Sequence, residues 1–174
     1  MVIDVPAAAG SGKLAWVLTV IGSPAAGAAH FELQTSLDPQ AVFSVLTDFS
    51  PRRAEVWRNI DPEHFQVHGQ GPGWADVTEG SARGGGIWER NRCEWPTSAD
   101  RLTITTTESN TWKAGSGWDY RLEPLPGGGT TIAVDALRRG KGLKGALVGA
   151  VIGLFGSRML LNDLRRVLAA AGGQ

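Results

Sequence analysis

Residues 30–36 read HFELQTS, where apolar and polar side chains alternate and predict a strand with one buried face. LDP follows. Asp38 is placed to cap a short helix, QAVFSVLTD, with Pro39 at its first helical position. SPRRAEVW repeats the device with Ser50 and Pro51, so a second short helix is expected. A series of strand-like pieces comes next, separated by GQGPG, ARGGG, TSAD and LPGGG, which are turn signals by composition.

The clearest strand is TWKAGSGWDYRLEPL. One parity holds Trp112, Ala114, Ser116, Trp118, Tyr120 and Leu122; the other holds Thr111, Lys113, Asp119, Arg121 and Glu123. Such a segment is an antiparallel strand with one buried and one wet face. TTIAVDALRR turns Ile132, Val134 and Ala136 inward and forms a hairpin with it across Gly127–Gly129. RLTITTTES sets Leu102, Ile104, Thr106 and Glu108 on one side. In GIWERNRCEW, outward Arg90, Arg92 and Glu94 leave Glu89, Asn91 and Cys93 inward.

The last element is predicted as one helix over 142–171, about 44 Å long. Gly145, Gly149, Gly153, Gly156, Leu160, Leu164 and Val167 gather within about 100° of arc, opposite Lys144, Arg158, Asn162, Arg165 and Arg166. The uncharged part of KGALVGAVIGLFG reaches only about 20 Å as a helix against a hydrocarbon thickness of about 30 Å, so no membrane span is expected. Four glycines inside a helix each cost about 1 kcal/mol relative to alanine. They need a packing reason: close approach to the sheet, or room for a ligand. The sequence leaves these two open.

Composition narrows the classes. The chain has 174 residues, enough for one domain with a real core, and its 17 basic residues balance 17 acidic ones. No global field recruits nucleic acid, and no nucleic-acid partner is expected. Cys93 is the single cysteine, which excludes an intramolecular disulfide and a multi-thiolate zinc site. Seven tryptophans suit a thick core or a ligand cavity. Residues 1–28 differ in kind, being rich in Ala and Gly around the apolar run LAWVLTVIG. They read as an extension, disordered or a weak signal peptide, ahead of a domain over 29–172. The expected location is cytoplasmic, or exported if that segment is a signal. GSGK at 10–13 is no phosphate loop, because Ala7 and Leu14 stand where a glycine and a hydroxyl residue belong. No cofactor is expected.

The order strand, two short helices, antiparallel strands and a long C-terminal helix, with WDYRLEPLPGGGTTIAV ahead of RGKGLKGALVGAVIG, resembles the START-like or birch-pollen-allergen-like superfamily. Within it the chain is similar to the bacterial polyketide cyclase/dehydrase-like branch, over roughly residues 29–171. The resemblance implies an α+β helix-grip fold, a curved antiparallel sheet of about seven strands around the long helix. It further implies a cavity that takes lipids, polyketides or similar apolar molecules. It supplies no universal catalytic motif.

Candidate site residues therefore follow from strand parity. Trp112, Trp118 and Tyr120 would pave a cavity, with Ile104, Val134, Gly149, Gly153 and Phe155 around them, although a plain core would read the same way. Tyr120 is the best candidate for orienting a ligand, since a buried hydroxyl must find a partner. Glu89 and Glu108, with Tyr120, are the candidates for acid–base work, a carboxylate in an apolar pocket having a raised pKa. No metal site is expected: in an extended segment His64 and His68 stand about 13 Å apart. Arg138, Arg139, Lys141 and Lys144 form a basic cluster before the last helix, solvated or placed to guide an anionic head group. Three functions fit: binding an apolar small molecule, cyclase/dehydratase catalysis in the same cavity, and a stress or toxin–antitoxin-type interaction module.

Overall fold

A computed structural model describes residues 27–82, 86–151 and 157–172. Seven strands form one antiparallel sheet: β1 (Ala28–Thr35), β2 (Gln66–Gly71), β3 (Trp74–Ser81), β4 (Ile87–Glu94), β5 (Arg101–Ser109), β6 (Gly117–Pro124) and β7 (Thr130–Leu137). The spatial order β1-β7-β6-β5-β4-β3-β2 is a run of hairpins, except that β1 joins the last strand. Its register pairs Phe31 with Val134 and Leu33 with Ile132, all four buried on one face.

Between β1 and β2 lie α1 (Pro39–Leu46), α2 (Arg52–Val56) and a short 3₁₀ turn over Pro62–His64. Asp38 caps α1 as its position predicts, its carboxylate accepting from the Ala41 amide at 2.9 Å. Ser50 does not repeat the device. Helix α2 carries no side-chain cap, and the Ser50 contribution is its carbonyl, which accepts from the Arg53 amide.

After β7 come α3 (Gly142–Val151) and α4 (Ser157–Gly172). Residues 152–156 lie outside the described ones, so the expectation of one unbroken helix through them, and the readings for Gly153, Phe155 and Gly156, do too. Helix α4 packs Leu161, Leu164, Val167 and Leu168 against β1 and α1. This is the grip of a helix by a curved sheet, with two short helices after the first strand. Among the described residues no helix is long and apolar enough to cross a membrane.

Two strand readings need correction. The segment predicted as one strand from Thr111 is regular only from Gly117. Before it, Trp112 makes an isolated bridge to Gly140, Ala114 is exposed and Thr111 is fully buried. In β5 the inward row Leu102, Ile104, Thr106 does not continue to Glu108. The β4–β5 register shifts between Arg90 and Asn91, where Arg90 faces Glu108 and Asn91 faces Thr106. The extra residue reverses the parity, so Ser109 is buried and Glu108 is exposed.

Candidate functional site

A cavity of about 80 Å³ lies between the inner face of the sheet, the α2 end and helix α4. Its walls follow from period-2 alternation on several strands. On β6, Trp118 stands between Ile104 of β5 and Ala136 of β7, and Tyr120 stands between Leu102 and Val134. The β4 alternation that buries Cys93 also turns Asn91 and Glu89 inward, and β3 contributes Glu79 in the row of Ala75 and Val77. Leu160, Asp163 and Leu164 close it from α4, and Trp57 closes it from the end of α2.

The apolar walls enclose two buried ion pairs. Arg138 gives Glu89 a two-pronged contact, Nη1 to Oε2 at 2.5 Å and Nη2 to Oε1 at 3.1 Å, with side chains 4% and 16% exposed. The Thr106 hydroxyl donates to the same carboxylate at 2.9 Å. The guanidinium lies 4.2 Å from the Trp118 ring centre and 5.5 Å from that of Trp112. The second pair repeats the scheme. Arg53 Nε donates to Glu79 at 2.5 Å, Nη1 donates to the Leu46 and Asp48 carbonyls, and the guanidinium rests on Phe49 and Trp57. Charge-assisted bonds of this geometry offset the cost of burying each ion, whereas removing one partner costs about 3–5 kcal/mol.

Other polar groups here are unmatched. Asn91 is only 2% exposed and its Oδ1 has no hydrogen-bond partner; neither has the buried Nε1 of Trp57. A buried polar atom left without a partner costs about 1–3 kcal/mol. Tyr120 forms no hydrogen bond from its hydroxyl among the described residues. Burial pushes its phenol up to about 12, with Arg53 and Arg138 opposing the rise. At neutral pH it is an O–H donor facing the cavity.

Of the residues singled out from parity, Ile104, Trp118, Tyr120 and Glu89 therefore meet in one cavity. Val134 is buried beneath Tyr120. Trp112 is buried behind Arg138, and Gly149 sits over Trp112, where a Cβ would lie 3.8 Å from Cζ3. Glu108 is outside. The basic cluster divides: Arg138 turns in, while Arg139, Lys141 and Lys144 bond the carbonyls of Gly115, Ser109 and Gly86. His68 bonds the Thr78 hydroxyl at 2.7 Å, and no group of three or more His, Cys, Asp or Glu suited to a metal ion occurs among the described residues.

Parity reasoning missed Arg53, Trp57, Glu79 and Arg138. Two carried a signal. Arg138 continues the row Ile132, Val134, Ala136, and Glu79 continues Ala75, Val77. Arg53 and Trp57 had none, because a five-residue helix is too short for its periodicity to name a face.

A shallower groove of about 210 Å³ lies between α1, α2 and the end of α4. It shares Trp57 with the inner cavity but lacks Asn91, Tyr120 and the two buried ion pairs, so the inner cavity is the candidate site.

No protein family and no curated protein matches the sequence. Solved structures do. The chain is similar to the Zhui aromatase/cyclase from a Streptomyces species, at 15% identity over 83% of this chain and 93% of that one, with a TM-score of 0.66. It is similar to a START superfamily protein from Mycobacterium smegmatis, at 13% identity over 81% and 93%, TM-score 0.62. It is also similar to Ara h 8.0201, at 11% identity over 84% and 98%, TM-score 0.62. Likeness at these identities concerns the backbone architecture. The chain has the helix-grip fold that these three proteins share.

Proposed function

We propose that the protein binds a compact, ring-bearing small molecule in the cavity between the sheet and α4. The observation that carries this reading is the lining itself: aromatic faces of Trp57, Trp118 and Tyr120 beside buried polar groups that no neighbour satisfies. A core built only for stability leaves few such groups, and here two of them line one cavity. The volume sets the scale. At about 80 Å³ the cavity is roughly half of the about 150 Å³ that houses benzene in an engineered apolar site. A single ring requires the half-buried Leu160 to give way, and a long acyl tail would require far more space. The lipid, polyketide or similar apolar ligand that the resemblance implies is narrowed accordingly.

Catalysis in the same cavity, of the cyclase or dehydratase kind, is a second reading, favoured by Tyr120. A phenol that keeps its proton and lacks a partner can donate to a carbonyl oxygen as charge develops there. Both oxygens of Glu89 are engaged by Arg138 and Thr106, which suits that carboxylate to holding Arg138 in place. The likeness to an aromatase/cyclase supports this reading at the level of the fold.

Native mass spectrometry of protein purified from its own host tests the binding reading. A retained small molecule is expected, and it should be lost in Trp118→Ala. Retention of the same molecule by a variant whose cavity is blocked by Ile104→Trp would place it elsewhere and overturn the assignment.

A further inference from the structure

The charge arrangement of the cavity selects among ligands, a conclusion that rests on the binding reading above. Among the described lining residues the cations are Arg53 and Arg138. Arg138 commits both terminal nitrogens to Glu89, and Arg53 commits Nε to Glu79 and Nη1 to two backbone carbonyls. Asp163, the remaining charged wall residue, is held by Arg166 at 3.1 Å. Each cation is thus neutralised by a carboxylate, and only Nη2 of Arg53 is left without a hydrogen bond among the described residues. An incoming anion must share or displace a carboxylate's cation, which leaves excess negative charge in the interior beside Glu79, Glu89 and Asp163.

The unmatched groups are all neutral. The buried Trp57 indole N–H is a donor and the buried Asn91 Oδ1 an acceptor; the part-buried Tyr120 O–H, which makes no hydrogen bond among the described residues, is a second donor. Asn91 is 2% exposed, so bulk water does not serve it. From this juxtaposition we infer that the cavity recognises an uncharged ring carrying a carbonyl, hydroxyl or amide oxygen, held by Tyr120, Trp57 and Asn91, and discriminates against carboxylates of the same shape.

Three single-ring probes of similar size test this on the full chain at neutral pH by titration calorimetry: benzamide, its anionic isostere benzoate, and toluene. Benzamide is expected to bind tightest, by roughly tenfold over each of the others, the equivalent of about two net hydrogen bonds. Tyr120→Phe should weaken benzamide severalfold and leave toluene unchanged, with thermal unfolding confirming that the variant is folded. Asn91→Asp should weaken benzamide too, since it adds a charge where the site is balanced. Benzoate or toluene binding as tightly as benzamide overturns the inference and leaves the binding reading standing. Benzamide affinity indifferent to both substitutions also overturns it, by removing the proposed contacts. Failure of all three probes to bind, up to their solubility limits, overturns the binding reading and the inference with it.

Discussion

Tyr120 is the single tyrosine of the chain, so its titration can be followed with no other phenol in the signal. Burial raises it from the ordinary 10.0 to about 12, the neutral form being favoured where water is excluded. The folded protein therefore binds a proton at pH values where the unfolded chain has released it. Stability from this proton is complete below about pH 10 and is lost as pH climbs through that value towards about 12. Near-ultraviolet phenolate absorbance should stay low at pH 10, where the chain unfolded in denaturant is half ionised, and rise only as the fold is lost. Half-ionisation at pH 10 in protein that is still folded would place the phenol in water. The same exclusion of solvent pushes the Cys93 thiol up to about 12, with Glu79 adding to the rise, so that cysteine is a packing residue.

Among the elements, α3 answers the question its glycines pose, and the answer differs between neighbours. A Cβ on Gly145 would lie 2.4 Å from the Thr111 carbonyl oxygen and 2.9 Å from Gly140, both backbone groups that cannot rotate aside. Gly145 is thus a close-approach glycine, where the segment bridging Trp112 to Gly140 crosses the helix start. At Gly149 the nearest atom to an added Cβ is Trp112 Cζ3 at 3.8 Å, an ordinary contact. Gly145→Ala should destabilise by about 1–3 kcal/mol through overpacking, exceeding the helix-propensity gain. Gly149→Ala should instead stabilise by up to about 1 kcal/mol. Denaturant unfolding of the pair checks both signs. Equal effects at the two positions would refute the contrast. Helix α3 also leaves Leu143 79% exposed, so its packing is carried by the glycine side.

At the scale of the molecule, the pairing of β1 with β7 ties the start of the domain to the site. Ala28 and Ala29 stand opposite Leu137 and Ala136, and the Arg138 amide donates to the Gly27 carbonyl at 2.9 Å. The strand is two residues longer at its start than the alternation from His30 implied. We propose that residues 1–26 form an extension the domain does not need. A chain beginning at Gly27 should unfold cooperatively with nearly the parent midpoint in a thermal melt. A chain beginning at His30 should melt lower, because it loses the pairing beside Arg138 and loosens the clamp on Glu89. Loss of cooperative unfolding in the longer of the two would show that part of 1–26 is integral to the fold.

The sequence by itself determined the order of strands and short helices, the helix start at Asp38, and the inward rows of β7 and of β6 from Trp118 on; the helix-grip architecture followed from the resemblance those elements carry. These features depend on neighbours a few residues apart: a side-chain cap reaches three residues, and strand alternation repeats every two. It also named Ile104, Trp118, Tyr120 and Glu89, since each sits on an unbroken alternation. Tertiary structure decided the rest. One extra residue between β4 and β5 turned Glu108 outward, and no composition cue marks that bulge. The burial of Arg53 was settled by Glu79, Phe49 and Trp57 converging from separate elements. Arg138 belonged by sequence to a basic cluster, and only the register of β7 in the sheet brought it to Glu89, 49 residues away. An ion pair in low dielectric is a property of two positions at once. The polarity of the cavity, which narrows its ligand, therefore became visible only when the sheet was assembled.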